Sequence, residues 1–149
     1  MDFTKEKIRI TLDNIRKLTE VRRLPIENAE IIPCGYKENN NTPPSPDAGW
    51  VPLDQSASFA GADGHYWIHA ALRTPEVSDD ELVFLRLTTG KEGEWDARNP
   101  QGLLYLDGRM MQGLDVNHTE VRLNGGETHD MYLYFYNGME EAPFHIHMD

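Results

Sequence analysis

The sequence predicts a mostly β protein, an antiparallel β-sandwich or jelly roll with one N-terminal amphipathic helix. Two observations predict the sandwich. From Trp50 onward the chain is a series of short apolar runs with turn signals between them, and no helical periodicity intervenes. The pair Asp107-Gly108 sits between Leu103-Leu104-Tyr105-Leu106 and Met110-Met111. Asp-Gly in that setting signals a hairpin, because a type I′ turn needs positive φ at both central positions. Glycine accepts that conformation freely and aspartate tolerates it.

Residues 4–22 form the expected helix. Ile8, Leu12, Ile15, Leu18 and Val21 recur at steps of four and three, so they share one face. Thr4 is a reasonable N-cap and Pro25 a reasonable stop. At ~1.5 Å per residue the helix spans about 28 Å. Ile10 lies off the stripe. A lone helix cannot bury its own stripe, so this one needs a surface to dock on.

Residues 26–35 hold a short extended piece interrupted by Pro33. Residues 37–49 (KENNNTPPSPDAG) carry three prolines, three asparagines and almost nothing apolar, the composition of a loop. The expected division is therefore a helix and connector (1–36), a polar Pro/Asn-rich loop (37–49) and a β-sandwich (50–149).

Within the sandwich, Trp50-Val51-Pro52-Leu53 opens the first strand. Residues 66–72 alternate Trp67, His69 and Ala71 against Ile68, Ala70 and Leu72. Residues 81–89 (ELVFLRLTT) are nearly continuous and apolar, as in a strand covered on both faces. A charged loop at 90–100 leads into the hairpin. Residues 131–136 (MYLYFY) form an aromatic strand stopped by Asn137-Gly138. Residues 144–149 begin one more. About seven strands are expected, and a strand left half-built at Asp149 suggests truncation from a longer enzyme.

The totals narrow the function. A chain of 149 residues is one domain with a core large enough to stand without staples. The single Cys34 excludes an internal disulfide and a paired-cysteine zinc site. The first 23 residues balance at +3, whereas the remaining 126 balance at −14. A body this acidic repels phosphate backbones, so nucleic acid is not an expected partner. No apolar run approaches the ~20 residues of a membrane helix, and the charged N-terminus lacks the features of a signal peptide, so a cytoplasmic location is expected.

Chemistry is sparse. No nucleophile elbow, phosphate loop or HExxH motif occurs. His145 and His147 lie two apart in a strand and so face one side, where Asp149 would complete a metal set. Ordinary polar residues on a wet strand face are the simpler reading. Trp50, Trp67 and Trp95 have rings that stack on sugars, but Trp67 sits within a strand and reads as core. Trp95 lies in the charged loop GKEGEWDARNP, where folding alone does not call for an aromatic. Trp95 and Asp107 are accordingly the candidate carbohydrate or interdomain contacts. Asn117-His118-Thr119 fits the glycosylation acceptor pattern, which carries little weight without a secretion signal.

Three stretches taken together resemble a known family. These are Tyr66-Trp67-Ile68-His69 running to Leu72-Arg73-Thr74-Pro75-Glu76, then Gly102-Leu103-Leu104-Tyr105-Leu106-Asp107-Gly108, then Gln112-Gly113-Leu114. The set resembles the N-terminal region of glycoside hydrolase family 38 α-mannosidases of the cytosolic and bacterial branch. There an aromatic strand ending in proline precedes G-L-x-x-x-D-G and then x-x-x-Q-G-L, and a helix opens the protein. The resemblance implies a galactose-binding-domain-like sandwich ahead of a larger catalytic barrel. It implies retaining hydrolysis of α-mannosides by a zinc ion and an aspartate nucleophile, both belonging to that later region. The family's H-x-D motif is not equated with His145 to Asp149, no catalytic residue carries over, and this chain alone is expected to be inactive. Its expected partners are its own catalytic domain, with carbohydrate or a second copy of the chain as further candidates. A freestanding carbohydrate-binding module is the alternative, and a small metal-dependent enzyme built on His145 and His147 a distant third.

Overall fold

The computed structural model describes residues 3–93, 100–139 and 143–149. Among these, nine strands form two antiparallel sheets beside one helix, α1 (Phe3–Thr19). The strands are β1 (Glu30–Cys34), β2 (Val51–Pro52), β3 (His65–Arg73), β4 (Val83–Thr88), β5 (Gln101–Leu106), β6 (Arg109–Asp115), β7 (Glu120–Leu123), β8 (Thr128–Tyr136) and β9 (His147–Met148). The larger sheet runs β2-β1-β3-β8-β5-β6 and the smaller β7-β4-β9. This is the expected β-sandwich. No described helix is long and apolar enough to cross a membrane.

The core follows from strand alternation. On β3 and β8 one face, carrying Ile68, Ala70, Met131, Leu133 and Phe135, points inward and is fully buried. From the smaller sheet Leu85, Leu87, Val121, Leu123 and Met148 meet them. Burial on this scale contributes about 1.5–3 kcal/mol for each fully enclosed large side chain. Phe144 closes one end, stacked on Phe59 at 5.6 Å and beside Phe135 at 5.8 Å.

The hairpin forms as expected. Asp107 and Gly108 adopt φ of 52° and 75°, both left-handed as a type I′ turn requires. Leu104 pairs with Gln112 but Tyr105 pairs with Met110, so Met111 is the extra residue of a bulge on the edge strand.

Several expectations need correction. The helix ends at Thr19 rather than at Arg22, where the Thr19 hydroxyl donates back to the Arg16 carbonyl at 2.8 Å. Residues 20–25 continue without helix. The packed body does not begin at Trp50: Ile26, Ala29 and Ile31 are buried in the core, and β1 pairs along its length with β3. Gln55 Nε2 donates to the Ile26 carbonyl and ties that segment down. Pro33 does not interrupt β1, which lies between β2 and β3 but pairs with β2 only at Glu30 and Ile31.

Residues 81–89 were expected to be covered on both faces. β4 is covered on one. Leu85 and Leu87 are buried, whereas Phe84 stays 45% exposed on the outer side of the sheet, where it lines an open groove shared with Arg16 and Leu18 of α1. Gly113 is an interior residue of β6.

Candidate functional site

Three places hold the chemistry-bearing side chains. The first is the hairpin turn. Asp107 Oδ1 accepts the Asp130 backbone N–H at 2.9 Å, and Oδ2 accepts from His129 Nδ1 at 2.8 Å. The Asp107 N–H in turn donates to the Asp130 carbonyl at 2.9 Å. These donors, the His129 imidazole first, hold the Asp107 carboxyl below the usual carboxylate range. The other ring nitrogen of His129 lies 3.3 Å from Glu127 Oε2 without forming a hydrogen bond. Sequence reasoning chose Asp107 as a candidate carbohydrate or interdomain contact. Both its oxygens are engaged by β8, so its placed role is to fasten the turn to the sheet.

The second place is the outer face of the larger sheet. Here the opposite faces of β3 and β8 gather an aromatic layer. Trp67 is 1% exposed yet stands outside the inter-sheet core, ringed by Tyr105, Tyr132 and Tyr134 at 5.2–6.4 Å. His65 stacks on Tyr134 and Tyr136, and its Nδ1 meets the Tyr134 hydroxyl at 2.9 Å. His69 stacks on Tyr132 at 4.5 Å. Burial raises the phenol pKa values of Tyr132, Tyr134 and Tyr136.

The polar segment after β1 leans on this layer. Tyr36 lies 5.5 Å from the His65 ring, and Trp50 lies 5.7 and 6.2 Å from His69 and Tyr132. Trp50 Nε1 donates to the Ser45 carbonyl at 3.0 Å, closing the loop on itself. Lys37, Asn40 and Asn41 adopt left-handed φ of 53–58°, a conformation that asparagine tolerates better than most residues. Two carboxylates border the Trp50–His69–Tyr132 group: Asp130 at 2.7 Å and Glu30 at 3.8 Å from the His69 ring nitrogens. An apolar ring edged by carboxylates presents stacking and hydrogen-bond acceptance together. Periodicity placed Trp67 and His69 on one strand face, but the β3–β8 register that adds the tyrosines is a tertiary fact.

The third place is β9. His147 lies in β9, whereas His145 precedes the strand, and their partners differ. His145 Nδ1 meets the Ala57 carbonyl at 3.1 Å, and His147 Nε2 lies 3.3 Å from Asp149. Asp149 is committed to Arg86, at 2.9 Å. Among the described residues no group of three His, Cys, Asp or Glu side chains is placed to hold a metal ion. Trp95, the other candidate contact, lies outside the described residues.

Cys34 is partly buried at the end of β1, and burial first, then Glu38, pushes its thiol up to about 11. A thiol so disfavoured as thiolate is a poor nucleophile. No protein-family model and no curated protein matches the chain.

Proposed function

We propose that this sandwich is a non-catalytic N-terminal domain of a zinc-dependent retaining α-mannosidase, hydrolysis residing in a separate region of the full-length enzyme. The observation that carries this reading is how the residues of the family resemblance are used. Gly102 sits where an added Cβ would come 2.7 Å from Leu133 Cδ1, so glycine lets β5 lie close on the core. Asp107 ties the turn to His129 and Asp130. Gln112 Nε2 donates to the Glu120 carbonyl at 3.2 Å and links the hairpin to the smaller sheet. The Asp107 carboxylate and the Gln112 amide nitrogen are engaged inside the sandwich, which suits a scaffold better than a reaction centre.

The test is to read the gene beyond the Asp149 codon and to assay an aryl α-mannoside with and without the encoded continuation. An open frame reaching an H-x-D motif, with hydrolysis that requires it, supports the reading. A stop codon directly after Asp149 overturns it.

The aromatic outer face favours a second reading, a freestanding carbohydrate-binding module. Trp50 and Tyr132 would supply the stacking surface, and Glu30 and Asp130 would accept hydroxyl hydrogen bonds. Calorimetric titration with manno-oligosaccharides decides it: saturable heat that Trp50→Ala removes supports the module, and a flat titration sinks it.

A further inference from the structure

One cross-strand row on the outer face of the larger sheet gathers rings and acids. Glu30 of β1 pairs with His69 of β3, and His69 pairs with Tyr132 of β8. Asp130, two positions before Tyr132, shares its face, and Trp50 leans on the row from the polar segment. We propose that this group binds a quaternary-ammonium ligand, its methylated cation lying against the Trp50 and Tyr132 rings and facing the Glu30 and Asp130 carboxylates.

The rings supply the first half of the argument. His69 stacks on Tyr132 at 4.5 Å and 28°, so the two rings act as one surface. Trp50 is inclined to both, by 53° and 56°, at 5.7 and 6.2 Å. Its indole N–H donates to the Ser45 carbonyl, which anchors the ring by its edge. All three side chains are only part-buried, so a ligand reaches them from solvent. The face of such a ring carries the negative lobe of its quadrupole and attracts a cation.

Charge supplies the second half. The His69 ring nitrogens lie 2.7 Å from Asp130 and 3.8 Å from Glu30, and among the described residues no lysine or arginine forms an ion pair with either carboxylate. Arg73, farther along β3, borders the groove beside the smaller sheet instead. With one proton on the imidazole the group carries two negative charges, and with two protons it still carries one. Both carboxylates are about half exposed, so they stay hydrated and would hold a bare ammonium only weakly. A fully methylated nitrogen has no N–H to leave unpaired, so the ring faces take it while the acids supply the field. A neutral ligand draws on the rings and on hydrogen bonds alone.

The proposal rests on neither functional reading, although it claims the rings that the second gives to sugar. Titration of the whole chain with choline, followed by the NMR signal of the Trp50 indole N–H, tests it. The expected result is a saturable shift with a dissociation constant on the order of 1 mM. The neutral isostere 3,3-dimethylbutan-1-ol should bind about fivefold more weakly, and added salt should weaken choline alone. Trp50→Ala, read at the Asp130 amide, should abolish saturation. The double variant Glu30→Gln, Asp130→Asn keeps both rings, and should weaken choline roughly fivefold while leaving the isostere unchanged. Equal affinities for choline and its isostere overturn the proposal, as does a double variant that binds choline like the wild type. Saturation by a manno-oligosaccharide with no response to choline overturns it in favour of the sugar reading, and no response to either sinks both.

Discussion

His129 and Asp107 join two strands at the point where the chain reverses: the imidazole Nδ1 of β8 lies 2.8 Å from the carboxylate Oδ2 at the tip of the β5–β6 turn. The second carboxylate oxygen holds the adjoining Asp130 N–H. Asp107→Asn keeps the left-handed preference of the position but removes the charge. It should lower the melting midpoint near neutral pH. The sign with pH follows from the lowered carboxyl pKa of Asp107. Its contribution is fully present above the unfolded value of about 3.9 and fades as pH falls through the lower folded value. The gap between wild type and Asp107→Asn should therefore narrow toward pH 2, as melts across the acid range will read.

Gly102 should not tolerate enlargement. An added methyl meets Leu133, itself 1% exposed, at 2.7 Å. Gly102→Ala is expected to cost about 1–3 kcal/mol in urea unfolding, the usual range for overpacking. Trimming the obstacle with Leu133→Ala should make the pair non-additive, and simple addition of the two losses would refute the steric account.

Trp67 is a core residue in energetic terms although it belongs to the outer face. Trp67→Ala should cost about 3–5 kcal/mol, as buried aromatics do. Trp50→Ala removes a ring that is only half-buried and should cost clearly less. Comparable losses at the two positions would mean that the polar segment encloses the aromatic layer more tightly than its geometry indicates.

The Cys34 thiol, with its pKa near 11, should alkylate slowly with iodoacetamide at pH 8. Unfolding in urea should bring the rate to that of an ordinary cysteine. A fast native reaction would contradict the burial at the end of β1.

What was legible in the sequence was local. Asp107-Gly108 reports its own backbone conformation, and alternation along residues 66–72 reports which side chains share a face. The helical stripe of α1 was equally plain, though its end was not, because Thr19 stops the helix by a side-chain bond that no periodicity encodes. What stayed hidden was anything set by partners distant in sequence. Glu30 to Cys34 joins the sheet because β3 lies beside it. Phe84 is exposed because its side of β4 faces an open groove, a fact that the apolar run ELVFLRLTT does not carry. The candidate site was half legible for the same reason: Trp50, Trp67 and His69 were visible as residues, but the tyrosines reach them only through the β3–β8 register.

The pairing of β3 with β8 also orders the assembly of the fold in time. These central strands match over nine positions, from His65 with Tyr136 to Arg73 with Thr128, and so lie dozens of residues apart along the chain. Closing so long a loop carries an entropic cost before any contact rewards it, which slows folding. The β5–β6 hairpin closes across two residues and so forms early, offering β8 an edge on which to zip. Substitutions in the turn should thus slow refolding, whereas substitutions in β1 should chiefly hasten unfolding. Stopped-flow rates that reverse this order would place the nucleus elsewhere.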